Sequence, residues 1–443
     1  MNTSLFPRTA LVGLMVALLA LTGCPTPKDA GPQPPATPDD GGAAAAPEET
    51  PAAPPAEPAR KSTAKAEDVQ AAKARIDALA GSTCKILPGD VLTEIIIKDG
   101  SSLTPEDIAL FGKLTDLETL QIYNYRELDD EMATGLAGLE NLKSLALTNS
   151  TIGDPTVEMI AKSFPNLAVL DLSSNVNMTN GALKIIAQLT KLERLLLVQN
   201  RFNDLGTGYL EKLEKLRVLD LRGNMDAGDM TMEIVGALPN LAAFKHRATT
   251  VSDFGMEYLA NSKTLKALLI QDFNITGQAG QHIAQPPSLR ELEIFRCQGF
   301  GSDGVLALKG TKLTRLTLRD LPMVDDQAME VFTELPELKK LYLHEIESLS
   351  DYGLENLKNL KTLEVLDIWA VPQMTDATVD VIATLPNLKE LSIRTTGVTD
   401  AAVDKILAMP KLESLTFKDN GSVTDEALKK LSTKKWKKLD TGK

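Results

Sequence analysis

The sequence predicts an α/β fold made of stacked repeats, with a parallel sheet on one side and helices on the other, and three observations carry the prediction. A hexad of the form LxxLxL recurs through most of the 443 residues, its first leucines falling 24 or 25 residues apart from Leu117 to Leu412. Within each hexad apolar and polar residues alternate, the period of a strand with one buried face. The second half of a unit often opens with Ser or Thr followed by Asp and then places apolar residues at i, i+3 and i+4, the period of a helix.

The chain opens differently. After Arg8 comes TALVGLMVALLALTG, shorter than the roughly 20 apolar residues that a membrane helix needs. The run ends Leu21-Thr22-Gly23-Cys24, which resembles the lipobox of bacterial lipoproteins. That resemblance implies that the leader, residues 1–23, is removed, that the Cys24 thiol carries a diacylglycerol and that the new N-terminus is acylated. Cys24 is then the lipid attachment site, since one acyl chain holds a protein at a membrane only marginally and two or more hold it stably. The alternative is an ordinary secretory leader with an incidental cysteine. Three cysteines in all, at 24, 84 and 297, do not read as a disulfide framework.

Residues 24–61 are mostly Pro, Ala, Gly, Thr and acidic side chains, with hardly a large apolar one. Such a segment buries too little apolar surface to offset its ordering entropy and is expected to be a disordered tether, reaching on the order of 100 Å if fully extended at about 3.1 Å per residue. Residues 62–91 place Val69, Ala72, Ile76 and Leu79 on one helical face and are expected to form an N-terminal helical cap.

The repeats occupy residues 92–443. Counting LTEIII at Leu92 and the degenerate LAAFKH at Leu241 there are fourteen units, ending at Trp436, which stands where a further first leucine belongs. Positions 4 and 6 of each unit point to one side of the strand and positions 3, 5 and 7 to the other. No unit buries its own apolar face, so neighbours stack around one continuous core with atypical ends. Ser252, Ser350, Thr375, Thr399 and Thr424 stand where a hydroxyl caps a helix, each followed by an Asp that favours the positive helix end. The template resembles leucine-rich repeat proteins of the ribonuclease-inhibitor-like and cysteine-containing classes. The resemblance implies a curved α/β solenoid, a horseshoe with its parallel sheet on the concave face and its helices on the convex face. It also implies Asn or Cys at position 9, tying the turn to its neighbour. Asn175, Asn200, Asn224, Cys297 and Asn420 match, whereas Ser150, Phe273, Leu321, Ile346 and Val371 depart from it. Cys297 is therefore expected to be a reduced structural thiol. About eight strands at roughly 4.8 Å separate it from Cys84, beyond the ~7 Å over which a disulfide closes.

Few residues suggest chemistry. Of three histidines, His246 falls on an inward position, His282 lies on a helix without a metal-spaced partner, and His344 faces outward. Asp129-Asp130 and Asp325-Asp326 sit where helices begin, so capping explains them. There is no GxSxG, HExxH, P-loop or GxGxxG context. No catalytic residue, cofactor site or metal ligand is therefore expected, and the chain does not read as an enzyme. A net charge of −13 opposes nucleic-acid binding.

Position 7 reads Arg222, Arg247, Gln271, Phe295, Arg319, His344, Trp369, Arg394 and Lys418, flanked at positions 5 and 8 by Asp220, Asp272, Glu293, Asp320, Tyr342, Glu345 and Asp367. One reading is a solvated ladder of mutually paired charges. The other is a ligand face, because only 4% of the chain is aromatic and yet Phe295, Tyr342 and Trp369 project from the side that the leucines do not use. Aromatics and arginines on a rigid surface make interaction hot spots. Phe295, Arg319, Tyr342, His344, Trp369 and Arg394 are the candidate ligand face, and Ser144, Ala146, Thr148 and Ser173 leave the N-terminal half blander. The resemblance implies a protein or peptide partner for a lipid-anchored, exported protein. A cell-envelope glycan receptor and a spacer without ligand are the alternatives. Pro25 after the cysteine, in place of the Asp that retains lipoproteins at the inner membrane, favours the outer membrane. The oligomeric state and the partner's identity stay open.

Overall fold

The computed structural model describes residues 61–442. The expected leader, Cys24 and all of the expected tether except Lys61 lie outside the described residues. Among the described residues sixteen strands form one sheet in chain order. Every neighbouring pair from Val91–Ile97 onward is parallel, because each strand is followed by a turn and helical segment that return the chain to the same edge. The leucines stay in register: Leu292, Leu316, Leu341, Leu366, Leu391 and Leu415 are consecutive partners. In the unit at Leu313 the side chains of Leu313, Leu316 and Leu318 are all 0% exposed. Each such leucine contributes about 1.5–3 kcal/mol of burial, and the core runs unbroken from Val69 to Leu431.

Many helical segments are short. Asp351–Leu354 has four residues and continues as the 3-10 turn Glu355–Asn359, since a unit of 24 or 25 residues leaves little chain after strand and turn. Strands stack about 4.8 Å apart whereas helices pack at about 8–10 Å. Stacking both in every unit puts the sheet on the inner side of the bend.

Three devices hold one unit to the next. Asn175 Nδ2 donates to the carbonyls of Leu147 and Leu172 at 2.8 and 2.9 Å, while its Oδ1 accepts from Ser150 N and Oγ at 2.9 and 2.6 Å. Asn420 does the same for Thr396 and Ile393. In five of the units without Asn, Tyr125, Phe273, Leu321, Ile346 and Val371 are at most 1% exposed and fill the slot with an apolar side chain. Secondly, the Asp that opens one helix accepts from the capping residue of the following unit. Asp351 takes Thr375 N at 2.9 Å and Thr378 N at 3.2 Å, and Asp154 takes Thr179 N at 2.8 Å. Thirdly, position 8 is left-handed in every unit from Leu117 to Leu412 except the degenerate one, where Ala248 is buried and has no positive φ.

The ends differ from a purely helical cap. The helix Ala66–Asp77 buries Val69, Ala72 and Ile76 as expected. A strand, Thr83–Leu87, then pairs antiparallel with Val91–Ile97 through a turn in which Gly89 and Asp90 have φ of 89° and 59°. The strand is needed because the first repeat would otherwise expose a row of unpaired backbone groups. Arg75 Nε donates to Asp107 at 3.0 Å and Ser62 Oγ to Asp116 at 2.8 Å, fastening the cap to the solenoid. At the other end Trp436 is half-buried and its indole N–H donates to the Leu431 carbonyl at 2.7 Å. The last strand, Lys438–Asp440, closes the sheet there.

Candidate ligand face on the open side of the sheet

The register assembles the expected column. Gln271, Phe295, Arg319, His344, Trp369, Arg394 and Lys418 are successive partners on neighbouring strands. Tyr342 stands two residues before His344 on the strand Lys340–His344. All six candidate residues thus reach one surface, and all are half-buried. The left-handed residue at position 8 brings a second column beside them. Arg319 Nε donates to Glu345 at 2.7 Å, and Asp272 receives both Arg247 and Arg296 at 2.5 Å.

The aromatic rings are covered by guanidinium groups. Arg319 lies 4.4 Å from the Phe295 centroid and, reaching over the intervening strand, 5.2 Å from that of Trp369. Arg394 approaches Trp369 at 5.2 Å, Arg296 approaches Phe295 at 4.9 Å, and Arg315 approaches Tyr342 at 4.9 Å. His344 is edge-on to Tyr342 and Trp369 at 6.0 and 5.7 Å. Each cation over a ring is worth about 0.5–1 kcal/mol at exposed sites and more where water is excluded.

Asp367 anchors this cluster. Arg394 Nη2 donates to both of its oxygens at 3.1 Å. His344 Nε2 lies 3.4 Å from Oδ2, near enough to feel the charge but not aligned for a hydrogen bond. Burial pushes the Asp367 carboxyl up, yet His344, Arg394 and Ser392 outweigh it and hold the group below the ordinary carboxylate range. Burial pushes the Tyr342 phenol up. On the strand between Glu293 and Tyr342, the Thr317 hydroxyl is buried without a hydrogen-bond partner. The paired charges expected of a ladder are present, and the aromatics are built into the same network.

The other sequence candidates fall elsewhere. His246 is 0% exposed, its ring nitrogens 3.1 Å from the Leu221 carbonyl and 2.7 Å from that of Ala227, a hydrogen-bonded core residue as expected. His282 lies on the helix Ala279–Ile283. Asp129 caps its own helix through Met132 N at 2.9 Å, whereas Asp130 serves Gly153 N of the following unit at 2.8 Å. Asp325 and Asp326 divide the work alike, toward Gln327 N and Ser350 N. Cys84 and Cys297 are free thiols, and burial pushes Cys297 up to about 12. Among the described residues no His/Cys/Asp/Glu group is arranged to hold a metal ion, and no helix is long and apolar enough to cross a membrane.

Sequence reasoning missed Arg296 and Arg315, whose roles depend on rings contributed by other positions. It also missed three exposed apolar side chains on the helical side, Leu205, Met230 and Phe254, each the second residue of its helix in three consecutive units. Their one-per-unit spacing was the available signal.

Residues 285–309 match a family described as Leucine Rich repeat. Among solved structures, an internalin of Listeria monocytogenes is 20% identical over 80% of this chain and 95% of its own, with a TM-score of 0.51. A chain of the yeast Rad7 and Elc1 complex is 16% identical over 82% of this chain and 90% of its own, with a TM-score of 0.53. A leucine-rich repeat protein of Leptospira interrogans is 22% identical over 80% and 93%, with a TM-score of 0.45. At these identities the likeness to the internalin and to the yeast chain shows the fold alone. No curated protein matches the chain.

Proposed function

From a leucine-rich repeat solenoid as the premise, we propose that this chain is an exported lipoprotein, anchored through Cys24, that binds a protein or peptide partner on the C-terminal half of its open sheet face. The observation that carries the binding reading is the in-register column Phe295–Arg319–His344–Trp369–Arg394, in which rings and guanidinium groups are locked before any ligand arrives. Side chains that are already ordered lose little entropy on binding, so contacts made there are retained as affinity. Arginine-backed aromatics supply the buried anchors that protein interfaces concentrate their energy in.

Sugar rings stack on free aromatic faces, and here Phe295 and Trp369 each carry two guanidinium groups. That favours a peptide over a glycan. Cys24 supplies the anchor, residues 24–61 the tether, and Pro25 favours the outer membrane.

Two experiments test the parts separately. Radiolabelled palmitate is expected to enter the protein in a Gram-negative host and to be lost in Cys24→Ala; equal labelling of that variant removes the anchor. The full chain is expected to capture a defined envelope protein, with loss of about tenfold or more in Trp369→Ala combined with Arg319→Ala. Equal capture by this variant, with its circular dichroism unchanged, leaves the charge ladder as a structural feature only.

A further inference from the structure

The rim of the sheet where the strands begin follows a pairing rule. At position 2, Lys143 pairs with Glu118 at 2.8 Å, Lys389 with Glu364 at 2.6 Å and Lys437 with Glu413 at 2.6 Å, each partner lying one unit earlier. Just before the first leucine, Lys191 and Lys411 donate to Asn166 and Asn387 at 2.5 and 2.8 Å. Along the middle of the rim this position-2 pairing is absent, and Ala168, Ala242 and Thr314 stand there in place of a long side chain. At the degenerate unit, beside Ala242, a groove of about 480 Å³ opens between Lys215, Arg217, Lys263 and Lys266. All four are exposed, and among the described residues none has an ion pair or a side-chain hydrogen bond. Glu193, the single carboxylate lining the groove, lies one strand from Arg217 without pairing to it. Arg290, the next cation along, is turned onto the Leu289 and Pro287 carbonyls at 2.8 and 3.2 Å. Asn240, Thr264 and Ser288 spend their donors on the backbone carbonyls of Glu214, Leu241 and Lys263.

We propose that this groove binds a phosphate-bearing anion carrying at least two negative charges. Four uncompensated cations on a chain of net charge −13 mark a local potential opposite to that of the whole molecule. Arg217 and Lys266 stand two strands, about 10 Å, apart, so long side chains converge from opposite walls. A tetrahedral phosphate offers oxygens in all those directions, whereas a carboxylate offers two in one plane. The space left by Ala242 admits the anion between them. The groove lies at the start of the strands and does not depend on the aromatic column.

Pyrophosphate titrated calorimetrically into the full chain at low ionic strength tests the proposal. The expected result is saturable binding that weakens as salt rises and falls about tenfold or more in Arg217→Ala combined with Lys266→Ala. The matched pair Lys389→Ala with Lys437→Ala, which removes the same charge from paired rim positions, is expected to bind like the parent. A second arm identifies the source of the phosphate. Co-sedimentation with phosphatidylcholine vesicles, with and without phosphatidylglycerol, is read as the difference between the parent and the Arg217/Lys266 variant, so that an acyl anchor cancels. A difference that requires phosphatidylglycerol assigns a lipid headgroup; saturable pyrophosphate binding without such a difference assigns a soluble phosphate compound. No dependence on Arg217 and Lys266 in either arm, or an equal loss in the matched pair, overturns the proposal.

Discussion

His246 shows how a single inward position becomes a pH-sensitive element of stability. Burial holds its imidazole below the usual histidine value, against the opposing pull of the Ala227 and Leu221 carbonyls. A folded-state value below the unfolded one means that protons bind the unfolded chain better. Stability is therefore whole above the unfolded value of about 6.5 and declines as pH falls below it, until the folded value is reached. Urea unfolding midpoints of the parent are expected to drop between pH 7 and pH 5, and His246→Gln is expected to flatten that slope. A parent midpoint that does not move over this range contradicts the account. That His246 points inward was legible from its position 6 in FKHRAT; its two acceptors were not, because both belong to the preceding unit. Cys297 was legible for the simpler reason that an inert thiol at position 9 needs only burial.

At the scale of the element, the left-handed position 8 sets a local cost that can be relieved. Thr395 is a β-branched residue held at φ 54°, which costs about 1–2 kcal/mol. It is exposed, and its hydroxyl makes no hydrogen bond among the described residues. Thr395→Gly is expected to raise the unfolding midpoint, with a net gain of up to about 1 kcal/mol after the greater freedom of glycine in the unfolded chain is counted. Ala248→Gly at the same position of the degenerate unit, where φ is not positive, is expected to lower it; stabilisation by both would remove the left-handed conformation as the cause.

The inter-unit aspartates give a second test at this scale. Burial pushes the Asp351 carboxyl up, but the hydroxyls and amides of Thr375 and Thr378 outweigh it and hold the group low. Its contribution is thus present above the unfolded value of about 3.9 and lost as pH falls through the folded one. Asp351→Ala is expected to cost about 1–2 kcal/mol at pH 7, with the gap to the parent narrowing below about pH 4; a gap independent of pH contradicts this. The sequence identified Ser and Thr as caps because that signal is local. It missed that the carboxylate serves the next helix, since a helix-start motif does not say what lies beside it one unit later. The N-terminal strand has a signal in the sequence, since Pro88-Gly89-Asp90 between two apolar runs is a turn motif, but the helical pattern before it is the stronger one.

For the molecule as a whole, a constant repeat length leaves one way to stack, and the open face follows from it. Once Leu292, Leu316 and Leu341 pair, Phe295, Arg319 and His344 must fall side by side. The interactions within that face were not legible, because side-chain reach decides them. Arg319 passes over the His344 strand to Trp369, a contact that alignment of neighbouring positions does not suggest. The rim groove was hidden for a related reason: it exists where a pairing rule lapses, and the rule itself is visible only in three dimensions. The central claim is that the open face is the recognition surface, and site-specific photo-crosslinking in cells tests it most directly. A photoreactive amino acid at Tyr342 is expected to give a discrete adduct with one partner protein, and the same residue at Tyr352, 80% exposed on the helical side, is expected to give none. The same adduct from Tyr352, or none from Tyr342, would contradict the account.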